Sequence, residues 1–206
     1  LSIGDAILVF NGKDGEWQAH ITEGNKKSAT LKCTLKTKSL QNPPDVWLLF
    51  APIKKARTDF IVEKATELGA AEILPISTDF TNSERIRQDR LQAHAVEATE
   101  QCGGTYVPNV HDLQKLDNVL DAWPGDRHLL YCDEGLVGAA STFNFLPAGK
   151  WAILIGPEGG FSQRERSKIT MMQQSHPVSL GPRILRADTA AVAALSLWQE
   201  HLGDWR

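Results

Sequence analysis

A chain of 206 residues is long enough for one large domain or a medium and a small one, and its 42% hydrophobic content allows a sizeable core. No apolar stretch approaches the roughly 20 residues of a membrane span, and there is no signal-peptide pattern at the start, which is not Met. The net charge of -3 argues against a general nucleic-acid coat, and the three cysteines, Cys33, Cys102 and Cys132, have neither metal spacing nor an even count, which favours buried reduced thiols.

Residues 1–40 read as β. The first predicted strand, Ile3 to Phe10, is under way almost at once, so an N-terminal piece is expected to be missing. Asn11-Gly12-Lys13-Asp14-Gly15 is a dense turn signal, and Glu16 to Ile21 returns as a hairpin partner. Ala29, Leu31, Cys33 and Leu35 alternate with Thr30, Lys32, Thr34 and Lys36, the pattern of a half-buried strand with one basic face. With Lys26, Lys27 and Lys38 that face is a solvated strand surface on the plain reading, and a small β-barrel touching phosphates on the sharper one. Gln41-Asn42-Pro43-Pro44 reads as a linker, because prolines fix an extended segment. It divides the chain into domains 1–42 and 43–206.

From Asp45 strands and helices alternate, which predicts an α/β domain with a parallel sheet. Val46 to Ala51 reads as a buried strand. Asp59 is placed to cap a helix that buries Ile61, Ala65 and Leu68 and stops at Gly69. Glu72 to Ile76 is the next strand. A long helix begins near Ser83, carries Ile86, Leu91, Ala95, Ala98 and Cys102 at helical spacing, and stops at Gly103-Gly104. Asp112 to Trp123 reads as a shorter helix with Leu113, Leu116 and Leu120 inward, and His128 to Cys132 as a strand.

The closing segment holds two strand–Gly-Pro–helix units end to end. Trp151 to Ile155 runs into Gly156-Pro157-Glu158-Gly159-Gly160, and Ser162 starts a helix with Glu165 at capping-box spacing. Val178 to Leu180 runs into Gly181-Pro182 and then the helix Asp188 to His201, which Thr189 is placed to cap. Each loop lies at the carboxyl end of a strand, where open α/β sheets bind ligands. The spacing is neither a P-loop nor a dinucleotide fingerprint. Glu158 would repel a phosphate, so the loop favours a cationic ligand, or a neutral one with ring and hydroxyl groups. The six histidines are scattered singly, with no metal spacing.

Leu154 to Glu165 and Leu180 to Ala190 (LGPRILRADTA), with Lys54 to Gly69 and Glu100 to Pro108, resemble the RsmE family of 16S rRNA uridine-N3 methyltransferases, a branch of the SPOUT superfamily. The resemblance runs in order from Val46 to Gly203, and residues 1–42 are similar to the end of the family's PUA-like RNA-binding domain. It implies a SPOUT-type parallel sheet with a C-terminal trefoil knot, preceded by a small PUA-like β-barrel that is N-terminally incomplete. It implies S-adenosylmethionine held mainly by backbone from three loops. Carried over, these are Leu130 and Cys132, then Ile155, Gly156, Pro157, Glu158, Gly159 and Gly160, then Leu180, Gly181, Ile184 and Leu185. A sulfonium tolerates Glu158, and adenine suits Ile184 and Leu185.

Methylating uridine N3 requires loss of the imide proton and stabilisation of the uracil oxygens. Arg186 is the first candidate for the second task, because a guanidinium matches such oxygens by forked donation. Arg183 is expected on RNA phosphate, although either arginine could instead pair with Asp188 or Glu158. Glu97 and Glu100 share one helix face, and the family match favours Glu100 as base, with loss of the proton to water as the alternative. Lys54, Lys55 and Arg57 are expected to bind RNA. Where many family members carry Arg this chain has Gly104, so Arg85, Arg87 and Arg90, with Tyr106 to stack on a base, are expected to replace it. The resemblance further implies a cytoplasmic homodimer acting on the small ribosomal subunit, with no metal. The competing readings are a SPOUT ribose 2′-O-methyltransferase on rRNA or tRNA, and an RNA-binding protein of this fold that has lost catalysis.

Overall fold

The computed structural model describes residues 1–82, 85–132, 143 and 146–205. The chain divides into two compact units, Leu1–Asn42 with Thr99–Val107, and Pro43–Ala98 with Pro108–Arg206.

The first unit is an antiparallel sheet in the order β1 (Ala6–Phe10), β2 (Glu16–Gly24), β3 (Ala29–Lys38). The β1–β2 turn forms where Asn11 and Gly12 predict it: Asn11 Oδ1 accepts from the N–H groups of Lys13 and Asp14 at 3.0 and 2.9 Å. Ala19 and Ile21 of β2 are buried. β3 departs from expectation, being exposed along its whole length, Leu35 at 58%. Its alternation makes one face apolar, but burial needs a second layer, and none covers that face among the described residues. Cys33 and Cys102 are exposed, so only Cys132, half-buried, approaches the expected buried thiol. Thr99–Val107 joins the unit through Thr105, whose hydroxyl donates to Ser39 O and accepts from Gln41 N at 3.2 and 2.9 Å.

The second unit is built on a parallel sheet in the order β10-β8-β9-β4-β5-β6. Its strands are β4 (Val46–Phe50), β5 (Glu72–Ser77), β6 (Asn109–Val110), β8 (Arg127–Cys132), β9 (Lys150–Ile155) and β10 (Ser175–Val178), and β7 (Gln114–Lys115) pairs with β5 off this path. The central strands are near-continuous apolar runs because helices cover both faces; Trp151 to Ile155 is buried throughout. One face carries Leu49, Leu74, Leu129, Tyr131 and Leu154, packed under Leu116 and Leu120 of α3 (Leu116–Asp121) and Ile169 of α4 (Gln163–Met171). On the other, α1 (Lys55–Glu67) and α5 (Ala187–His201) pack together, and α5 also meets β4 and β9.

Several element boundaries differ from the sequence reading. α2 (Gln88–Gln101) starts beyond the expected Ser83, which itself lies outside the described residues, and ends before Cys102. The helix expected over Asp112 to Trp123 is shortened to α3, because Gln114 and Lys115 pair with Ile76 and Ser77 of β5 instead. Lys54, not Asp59, is the N-cap of α1, and Asp59 inside the helix pairs with Arg90. β10 lies three residues upstream of the expected Val178 to Leu180, its register against β8 running from Ser175 opposite Leu129 to Val178 opposite Cys132. Thr189 lies inside α5, whose N-cap is Arg186 without a side-chain cap.

Candidate functional site

β8 and β9 lie side by side and end together, and the chain leaving β9 turns at once. Gly160 N–H donates to Pro157 O at 2.9 Å, and Gly160 takes φ +69°, a conformation only glycine adopts cheaply. A Cβ on Gly156 would lie 2.7 Å from the Phe161 ring, which packs edge-on against Tyr131 at 5.4 Å. Ser162 then caps α4 in a complete capping box: its hydroxyl accepts from Glu165 N–H at 3.3 Å, and Glu165 accepts from Ser162 N–H at 2.9 Å. Glu165 is only 2% exposed, and its other oxygen accepts from Asp79 N–H at 2.9 Å. Asp79 in turn accepts from the Ser162 hydroxyl at 2.6 Å and pairs with Arg164 at 3.0 Å, and both contacts lower its pKa. The loop after β5 is thereby bound to the loop after β9.

The second loop, 179–186, is held more lightly. Ser179 Oγ exchanges 3.3 Å hydrogen bonds with the backbone of Gly181. Beyond it Ile184 is 73% exposed and Leu185 half-buried. Arg183 and Arg186 are exposed and make no side-chain hydrogen bond or ion pair among the described residues. The carboxylates considered for them, Glu158 and Asp188, are instead each 3.8 Å from Arg57 of α1.

Between the two loops lies a cleft of about 400 Å³. Cys132 lines it from β8, Ile155 with Gly156, Pro157, Glu158, Gly160 and Phe161 from β9 and its loop, and Arg166 from α4. Ile184, Leu185 and Arg186 close it from the second loop, with Ala187 and Ala190 of α5 behind. Burial pushes the Cys132 thiol up to about 12, so it stays protonated at neutral pH.

The cleft thus gathers most of the expected cofactor residues together with Arg186. The others stand apart from its lining. Leu130 is fully buried in β8, Gly159 is exposed on the outer side of its turn near Phe80, and Leu180 and Gly181 are half-buried at the start of the second loop. Glu100 is exposed at the end of α2, within the segment that belongs to the first unit. Tyr106 is half-buried in the first unit, its carbonyl accepting from the Thr99 hydroxyl at 3.2 Å. Lys54 and Lys55 are exposed, and Lys55 lines a second groove with Arg85, Arg87 and Arg90.

Sequence reading missed Phe161, Arg166, Ala187 and Ala190. Ala187 and Ala190 carry a readable signal, small residues three apart on one helix face beside a loop. Arg166 carries none, because its place depends on where α4 starts; its Nε donates to Phe161 O at 3.1 Å. Among the described residues no group of three or more His, Cys, Asp and Glu side chains could hold a metal ion.

Residues 40–199 match a family described as the RNA methyltransferase domain, and residues 1–33 one described as the RNA methyltransferase PUA domain. The ribosomal RNA small subunit methyltransferase E of Rickettsia conorii is 28% identical over 199 residues, covering 95% of this chain and 81% of that protein. The protein of the same name from Synechocystis is 33% identical over 205 residues, covering 95% of this chain and 66% of its own length. The crystal structure of a ribosomal RNA small subunit methyltransferase E from Neisseria gonorrhoeae bound to S-adenosyl methionine superposes with a TM-score of 0.88 at 27% identity, covering 100% of this chain and 87% of the other. With a match across most of its length, and with the motifs that close it, the chain belongs to the RNA methyltransferase domain family, in its RsmE branch.

Proposed function

We propose that this protein is an S-adenosylmethionine-dependent methyltransferase that methylates N3 of a specific uridine in 16S rRNA of the small ribosomal subunit. The observation that carries the reading is the cleft at the carboxyl ends of β8 and β9, walled by two Gly-Pro loops. Its volume lies in the range of small-ligand sites. Its chemistry fits the cofactor: apolar Ile155, Ile184 and Leu185 for adenine, loop backbone for its polar edges, and the Glu158 carboxylate to face a positive charge. Bound S-adenosylmethionine supplies an electrophilic methyl group on its sulfonium.

The reading includes a trefoil knot in the C-terminal half and a PUA-like barrel on residues 1–42. In support of the knot, the chain leaves β10 at the sheet edge outside β8 yet continues into α5, which packs on α1, β4 and β9. The closing segment therefore crosses back past β8 and β9. The protein acts as a cytoplasmic homodimer on this reading; no helix among the described residues is long and apolar enough to cross a membrane.

Arg186 holds the uracil oxygens. It stands at the cleft from the N-cap of α5, and no carboxylate among the described residues neutralises it. A guanidinium there favours the charge that collects on those oxygens as the N3 proton leaves. That proton passes to Glu100 or to water. Arg183 faces solvent and serves RNA phosphate, as do Lys54, Lys55 and Arg85, while Tyr106 offers a ring to a base and Arg87, paired with Asp89, offers its guanidinium plane. Arg57 leaves the RNA set, since Glu158 and Asp188 engage it.

The test is transfer of labelled methyl from S-adenosylmethionine to small subunits that lack the modification, with wild type beside Arg186→Ala. The expected product is 3-methyluridine, formed about 10²–10³-fold more slowly by the variant. Label on ribose would reject the assignment in favour of 2′-O-methylation.

A further inference from the structure

The second unit has another concave site at the same edge of its sheet. β4 and β9 are parallel neighbours that end together, Ala51 N–H donating to Ile155 O at 3.1 Å. The cleft lies beyond β9. Beyond β4 lies a groove of about 300 Å³ whose opposite wall is formed within residues 85–91. α1 starts between the two: Arg57 reaches the carboxylates of the cleft, while Lys55 and Thr58 line the groove.

Four cations line this groove, and they fall into two pairs. Arg87 and Arg90 are tied to carboxylates, Arg87 to Asp89 at 2.6 Å and Arg90 to Asp59. Arg90, 26% exposed, is held in orientation by its partner, whereas Arg87, 75% exposed, is held only loosely. Lys55 and Arg85 have no ion pair among the described residues, so their charge is uncompensated. α1 begins at the groove and its first turn carries no acidic residue, whereas the first turn of α2 carries Asp89. One helix N-terminus beside two cations without an ion pair among the described residues favours an anion. The floor, by contrast, is apolar: Ile53 and Leu91 are buried and Ile86 half-buried. It is also fixed, because the Thr58 hydroxyl accepts from Ile53 N–H at 3.0 Å and donates to Ile53 O at 3.1 Å.

We propose that this groove seats one unstacked nucleotide of a single-stranded RNA segment, its phosphate on Lys55 and Arg85, its base on the apolar floor beside the planes of Arg87 and Arg90. The proposal rests on the methyltransferase reading and specifies the form in which the RNA reaches the enzyme. An A-form duplex offers phosphates and 2′-hydroxyls but keeps its base faces stacked, and an apolar floor has nothing to gain from it. A single strand offers both a phosphate and a bare ring, and arginine planes stack on bases.

The test uses the whole chain and the double variant Lys55→Gln/Arg85→Gln, changed at two exposed side chains that make no hydrogen bond or ion pair among the described residues. Binding of a short fluorescent single-stranded RNA is followed by anisotropy at rising salt, and S-adenosylmethionine binding by calorimetry. The plot of log affinity against log salt should become shallower by about 0.7 in the variant, since each single-strand phosphate that is neutralised adds about 0.7 to the slope and the two cations share one. A duplex of equal length should compete poorly with the labelled strand. An unchanged slope overturns the groove as the RNA seat, and a duplex that competes as well as the single strand overturns the unstacked nucleotide. Absence of cofactor binding in both proteins, with the slope still changed, would sink the methyltransferase reading and leave the groove intact.

Discussion

The two Gly-Pro loops carry the same sequence signature and are held in opposite ways. The loop after β9 is fixed at every step: a turn bond from Gly160 to Pro157, a Phe161 ring lodged against Tyr131, a capping box at Ser162, and a buried Glu165 that also binds Asp79. The loop after β10 has the Ser179–Gly181 contacts and then a run of exposed side chains ending at Arg186. One wall of the cleft is preorganised and loses little freedom when a ligand arrives; the other keeps apolar Ile184 in water until something covers it. A strand, a Gly-Pro pair and a helix therefore specify where a site forms. Whether the wall is rigid is decided by what reaches it from neighbouring strands.

The largest expected effect comes from breaking the rigid wall. Gly156→Ala places a methyl 2.7 Å from a ring that cannot retreat, because Tyr131 stands behind it. Overpacking of this kind costs about 1–3 kcal/mol. Denaturant unfolding should show a lower midpoint, and an S-adenosylmethionine titration a large loss of affinity. A variant that melts and binds like wild type would mean that the first loop is no stiffer than the second.

A smaller effect should follow from cutting the link between the walls. Arg57 stands 3.8 Å from Glu158 of the first loop and from Asp188 in the first turn of the helix after the second. Its side chain is 33% exposed, so the pair terms are worth about 0–1 kcal/mol to stability. Arg57→Ala should leave the melting temperature nearly unchanged and weaken cofactor affinity by about tenfold, a difference of about 1.4 kcal/mol. Rates at saturating cofactor should hold, and Arg57→Lys should recover part of the affinity. A fall in saturated rate with unchanged affinity would place Arg57 on the RNA instead.

Much of this asymmetry could not be read from the chain alone. The buried strands were legible because a parallel strand covered on both faces is a bare apolar run, as Trp151 to Ile155 is. The capping box was legible because Ser162 and Glu165 stand three apart, a local rule. What escaped depends on partners distant in sequence. β10 could not be placed without knowing which residues of β8 it pairs with. Asp59 has the chemistry of a cap, but Arg90, 31 residues on, engages it inside the helix. Alternation in β3 correctly marks one face as apolar and says nothing of what covers it. Arg57 looked like an RNA ligand because its two carboxylates, Glu158 and Asp188, belong to segments more than a hundred residues away.

The smallest effect separates the walls by pH, through the strand that delivers the second one. His176 on β10 lies 3.1 Å, Nε2 to Nδ1, from His128 on β8, and both rings pack near Trp151, at 5.0 and 4.8 Å. Burial, and then the charge of His128, lower the His176 pKa from its ordinary 6.5. The fold therefore prefers the neutral ring. The unfolded chain takes up the proton near 6.5, so the stabilisation is whole above that value and is lost as pH falls through the lower folded pKa. Asp79 and Asp117, whose pKa values are lowered below 3.8 chiefly by hydrogen bonds from Ser162 and Arg164 respectively, hold their charge across this window and stay silent in it. Stability should thus decline modestly from about pH 7 to about pH 5.5, and less in His176→Gln, which cannot be charged. Hydrogen exchange should show the loss first in the amides of β10 and the loop after it, because an edge strand has a partner on one side only. Equal acid sensitivity in the two proteins, or earlier exchange in the loop after β9, would remove the histidine pair as the source.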